Sequence, residues 1–163
     1  MAKILILGMG NSILSDDSAG LVLAEKVFEM TQPGTADLQL AETGGMNLVD
    51  IMAGYDVLIV IDSIKTGTMP AGTVVEIDPG KGTGSHRILS SHGISFFDAV
   101  ALGKKLGTLV PEKIIIFGIE IDDNLSFGTQ LTPKVAATIN GAAKQISEKL
   151  IETGLIRIIS KNT

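Results

Sequence analysis

The sequence contains no cysteine and no tryptophan, and aromatic residues make up only 4% of it. Without cysteine there is no disulfide, no thiolate metal site and no cysteine nucleophile. There is no cluster of lysine and arginine either. The formal net charge is −5, so the electrostatic footprint of a nucleic-acid binder is missing. No apolar run approaches the roughly 20 residues a membrane helix needs. The opening Met1-Ala2-Lys3 leads straight into a strand pattern, with no signal-peptide core or cleavage site. A cytoplasmic protein that uses neither membrane nor nucleic acid is the expectation. Histidine is scarce, with His86 and His92 alone.

What is present fits one globular unit over residues 1–163. The chain is 45% hydrophobic and 19% charged, a balance that buries a core rather than remaining disordered. Ile4-Leu5-Ile6-Leu7 and Val57-Leu58-Ile59-Val60-Ile61 read as strands buried on both faces. Lys113 to Gly118 reads the same way. Asp37 to Ala41 alternates and predicts a less buried strand. Thr73 to Ile77 is β-branched between Pro70/Gly72 and Pro79/Gly80, and predicts an edge or antiparallel strand. Helical spacing follows from Ala19 to Phe28, with Ser15 or Asp16 as its cap, and again from Met46 to Ala53 and from Ile94 to Leu106. Leu131 to Glu152 predicts one long helix, with Pro133 in its first turn and Gly154 as its stop. Strands alternating with helices predict an α/β fold. The expected form is a three-layer sandwich: a mostly parallel twisted sheet of about five strands, one antiparallel edge strand, and helices on both faces.

In such a sheet ligands bind beyond the carboxyl ends of the strands. Three residues fall there: Asp17 after the first strand, Asp62 at the end of Val57–Ile61, and His92 in Ser90-Ser91-His92-Gly93. Two carboxylates and an imidazole suit a borderline divalent metal with an open coordination position. Each has a plainer reading. One of the adjacent Asp16 and Asp17 caps the following helix. Asp62-Ser63 is good turn chemistry. His92 is a solvated loop residue or a cap, as His86 is a solvated loop residue.

Other segments read as follows. Gly8-Met9-Gly10-Asn11 begins like a dinucleotide loop, but Ile13 stands where the third glycine belongs. Glu42-Thr43-Gly44-Gly45 reads as a plain turn, or as a backbone grip for an extended peptide. Phe96, Phe97 and Val100 read as core, Asp98 as a solvated face, and Asp122-Asp123-Asn124 as a polar rim.

The run Ile4-Leu5-Ile6-Leu7-Gly8-Met9-Gly10-Asn11-Ser12-Ile13-Leu14-Ser15-Asp16-Asp17-Ser18-Ala19-Gly20 closely resembles the N-terminal signature of the hydrogenase maturation proteases. These endopeptidases trim the C-terminus of the nickel-iron hydrogenase large subunit. Glu42-Thr43-Gly44-Gly45-Met46, Val60-Ile61-Asp62-Ser63-Ile64, Pro70-Ala71-Gly72-Thr73, Ser90-Ser91-His92-Gly93, Ile114 to Glu120 and Leu131-Thr132-Pro133 resemble later family segments in the same order. Ser18 stands where glycine is common in the family, and Glu42 where many members have aspartate.

The resemblance implies that Asp17, Asp62 and His92 form a catalytic and metal-recognising triad, with Glu42, Gly44 and Gly45 toward the substrate. It implies a precursor large subunit as partner and nickel, carried by that precursor, as the recognised ion, with zinc or cadmium able to substitute in vitro. Either aspartate then stands as general base. Two competing readings are a non-enzymatic α/β module that binds a nucleotide or a peptide, and a peptidase with resident zinc. The second lacks the His-Glu-x-x-His helix motif.

Overall fold

The computed structural model describes residues 1–42, 46–78 and 96–159. Its centre is a sheet of five strands in the order β2-β1-β3-β5-β4. They are β1 (Ile4–Met9), β2 (Asp37–Ala41), β3 (Val57–Ile64), β4 (Val74–Ile77) and β5 (Lys113–Glu120). The first four in spatial order run parallel, and β4 lies antiparallel on the edge beside β5. The helices are α1 (Ala19–Met30), α2 (Met46–Met52), α3 (Phe96–Lys105), α4 (Pro133–Ala136) and α5 (Ile139–Glu152).

Alternation along the strands sorts the core into two layers. Ile4, Ile6, Val57, Ile59 and Ile61 pack with Leu23 and Val27 of α1 and Ala143 and Ile146 of α5. Leu5, Leu7, Leu58 and Val60 pack on the opposite face with Leu48 and Met52 of α2 and Phe96 and Val100 of α3. β1 and β3 are buried along their whole length because they have sheet on both sides and helices on both faces. β2, on the edge, is the more exposed strand that its alternating sequence predicts. The expected three-layer α/β fold, edge strand included, is what forms. Among the described residues no helix is long and apolar enough to cross a membrane.

Three local expectations differ from the structure. β3 runs on to Ile64, so Asp62 lies inside a strand, opposite Gly118 of β5, rather than in a turn. Neither Ser15 nor Asp16 caps α1. Ser15–Ser18 form a 3-10 turn, and the N-cap position belongs to Ser18, with no side-chain cap bond. The Leu131–Glu152 segment breaks between α4 and α5. There the Thr138 hydroxyl donates to the Val135 carbonyl at 2.7 Å, an alternative to the helical ladder.

The strand order fixes where a site can lie. From β1 the chain crosses to β2 on one side, then returns across β1 to β3 on the other. The order therefore reverses between β1 and β3, and their carboxyl ends part to leave a crevice.

Candidate active site at the carboxyl edge

The loop from β1 and the end of β3 enter this crevice through close backbone packing. The Gly8–Gly10 pair that resembles a nucleotide loop serves a different purpose. A Cβ on Gly10 would stand 2.2 Å from the Asp17 carbonyl oxygen. A Cβ on Gly20, in the first turn of α1, would stand 2.2 Å from the Met9 carbonyl oxygen and 2.8 Å from the Asp62 Cα. Glycine at both positions lets the start of α1 settle directly on the ends of β1 and β3. Asp17, just before that helix, is carried to Asp62 as a result. The Asp17 amide donates to the Leu14 carbonyl, and its own carbonyl accepts from Asn11, so the turn bearing it is tied at both ends.

Asp17 and Asp62 are both buried, each 7% exposed. Ser63 joins them. Its hydroxyl donates to Asp17 Oδ1 at 3.0 Å, and its amide donates to Asp62 Oδ1 at 2.8 Å. The last β1–β3 pair is Gly8 with Ile61, so β1 no longer runs beside β3 at Ser63. Asp62 is held protonated well above the usual carboxylate range. Burial is the main cause, the Ser63 amide opposes it, and the neighbouring Asp17 charge adds to it. Among the described residues no hydrogen bond reaches Asp62 Oδ2. A buried carboxylate oxygen in that condition, beside a second carboxylate, is a natural cation ligand. The donor set fits a hard or borderline divalent ion.

His92, Gly44 and Gly45 lie outside the described residues. Among the described residues no group of three side chains is placed to hold an ion, so the structure brings together two of the three expected ligands. Glu42 is exposed and accepts from the Ser12 amide at 2.8 Å. The Ser12 hydroxyl and amide hold its carboxyl below the ordinary value. It thereby links the end of β2 to the loop after β1.

Two carboxylates on this edge were not singled out for the work they do. Asp16, fully buried, accepts from the amides of Asp122, Asp123 and Thr132 and from the Thr132 hydroxyl, at 2.7–3.2 Å. It clamps the segment after β5 onto the loop after β1. Glu120, 1% exposed, accepts from Thr66 N, Gly67 N and Thr66 Oγ1, each at 2.8 Å, and so shapes the turn after β3. The signal available in the sequence for Glu120 was a carboxylate at a strand end, with Thr66-Gly67-Thr68 as a loop of matching donors.

The clamped loops leave Ile13, Leu125 and Phe127 exposed beside the crevice. The Gly128 amide bonded to the Ile13 carbonyl at 2.9 Å keeps the two loops together. At the opposite edge of the sheet a hollow of about 390 Å³ is lined by Lys3, Asp37 and Tyr55, among others. There the Tyr55 hydroxyl donates to Asp37 Oδ2 at 3.0 Å, and the Lys3 amide to Asp56 Oδ2 at 2.7 Å.

Comparison with known proteins places this chain among relatives of one family. The sequence model of one family, described as HycI, hydrogenase maturation protease, matches residues 21–149. That span includes Asp62 and His92 and begins just after Asp17. The hydrogenase 2 maturation protease of Escherichia coli K12 is 30% identical over 158 residues, covering 94% of this chain and 93% of the relative. The hydrogenase expression/formation protein HupD of Thiocapsa roseopersicina is 31% identical, covering 94% of this chain and 70% of its own length. Among solved structures, the hydrogenase maturating endopeptidase HybD of E. coli superposes with a TM-score of 0.78 at 27% identity, covering 99% of each chain.

Proposed function

This chain belongs to the hydrogenase maturation protease family, and from that premise we propose that it removes the C-terminal extension of a nickel-iron hydrogenase large-subunit precursor. In this reading nickel already seated in the precursor is the recognition signal, and Asp17, Asp62 and His92 supply ligands to it. The observation that carries the reading is the Asp62 carboxylate: buried at the switch point of the sheet, beside Asp17, with one oxygen that no donor among the described residues reaches.

The physical logic is differential binding. A site that supplies two or three ligands is incomplete without the ion, so the precursor binds productively only when it carries one. Before that encounter, burial keeps a proton on Asp62 to higher pH and spares the crevice an unpaired charge. Arrival of a cation displaces that proton. An ion held by Asp17 and Asp62 would supply Lewis-acid polarisation of the scissile carbonyl or of a bound water, and one of these carboxylates would accept the proton of the attacking water. The exposed Ile13, Leu125 and Phe127 give the precursor apolar surface next to the chemistry. In this reading the cleavage takes place in the cytoplasm, the location expected from the sequence.

The test compares wild type with Asp17→Asn, Asp62→Asn and His92→Ala by the mass of the precursor after incubation. The reading predicts at least a 100-fold slower loss of the extension for each aspartate variant. A folded Asp62→Asn chain that trims the precursor at the wild-type rate overturns it.

A further inference from the structure

We infer that Ser63 is a positioning residue that sets the geometry of the Asp17–Asp62 pair toward its cation, an inference that rests on the cation reading of this site. One residue reaches both carboxylates: the Ser63 hydroxyl donates to Asp17 Oδ1 at 3.0 Å and its amide to Asp62 Oδ1 at 2.8 Å. The two bonds differ in what they require of the sequence. Any residue except proline supplies the amide, whereas only a hydroxyl at this position supplies the bond to Asp17.

Ser63 is well placed to act as a rigid reference. It is 6% exposed and in register with Ile119 of β5, so the sheet fixes its backbone. By the alternation of β3, its side chain stands on the face of Ile59 and Ile61, the side on which α1 packs. Asp17 comes from that side, ahead of α1, on a separate stretch of chain. Outer hydrogen bonds of this kind orient the ligands of metal sites and typically govern affinity by 10- to 100-fold. The hydroxyl fixes one Asp17 oxygen and thereby the direction of the other.

Isothermal titration of the full chain with cadmium chloride tests this, with melting temperature as the control for folding. Ser63→Ala is expected to weaken cadmium binding by about 10-fold or more at an unchanged melting temperature. Ser63→Thr, which keeps the hydroxyl, is expected to restore most of the affinity. Wild-type affinity in Ser63→Ala overturns the inference alone, as does a folded Ser63→Thr chain as weak as Ser63→Ala. A wild-type chain that takes up no cadmium overturns the cation reading and this inference with it.

Discussion

Asp16 and Asp62 are both buried aspartates on the carboxyl edge of one sheet, yet their surroundings are opposites. Asp16 accepts four hydrogen bonds from donors on the segment after β5. Among the described residues Asp62 accepts one, from the adjacent residue, and it faces the like charge of Asp17. Every feature that stabilises a buried carboxylate is present at the first and scarce at the second. Glu120, with its three donors, falls with Asp16. The contrast sets the carboxylates that build the edge apart from Asp62, whose Oδ2 no donor among the described residues reaches.

Removing Asp16 breaks the comparison most severely. Asp16→Ala leaves the Asp122, Asp123 and Thr132 amides without their acceptor. It is expected to cost about 3–5 kcal/mol, read as a lowered midpoint in urea denaturation. A loss under about 1 kcal/mol contradicts the structural role. Asp62→Asn is expected to act in the opposite sense, raising stability near neutral pH while abolishing processing. The pH dependence follows from the raised pKa. An unfolded Asp62 releases its proton near the ordinary carboxylate value, and the folded one holds it to higher pH. The folded state therefore binds more protons across that window, and wild-type stability falls as pH rises through it. The advantage of Asp62→Asn grows over the same window and disappears below it. An advantage that is flat across the window contradicts the burial of a charge.

Smaller changes sharpen the contrast. Gly20→Ala places a Cβ against the Met9 carbonyl and the Asp62 Cα. The expected cost is about 1–3 kcal/mol, accompanied by weaker cation binding as α1 moves off the strand ends. Phe127→Ser is expected to raise the half-saturating precursor concentration several-fold, as loss of an exposed apolar contact does, with no change in melting temperature. Smallest is the titration of Asp123. Its carboxyl accepts from Leu125 N and Ser126 N, and hydrogen bonds from Ser126 and Leu125 hold its pKa down to about 2. Its contribution to the loop is present above the ordinary carboxylate value and lost as pH falls through about 2, which NMR titration of the side chain can follow.

The strand and helix pattern was legible because buried parallel strands write themselves as unbroken apolar runs, as in Ile4–Leu7 and Val57–Ile61. Asp62 was legible for the same reason: it interrupts such a run at the edge where α/β sites form. Which of Asp16 and Asp17 faces the crevice was not. That choice depends on Thr132 and the 121–132 segment, far off in sequence, arriving to saturate Asp16. The glycines of the first loop only begin like a nucleotide signature; a Cβ on Gly8 would meet Ala24 and Leu40, and one on Gly10 the Asp17 carbonyl, close packing that only the folded chain displays. The break at Thr138 turned on one hydroxyl choosing a carbonyl three residues back.

The central claim is that the Asp17–Asp62 pair is completed by an ion that the substrate brings. Its most direct test is to incubate the wild-type chain with nickel-loaded and nickel-free precursor and to follow release of the C-terminal extension by mass spectrometry. The account predicts release from the nickel-loaded precursor alone. Equal trimming of the nickel-free precursor contradicts it.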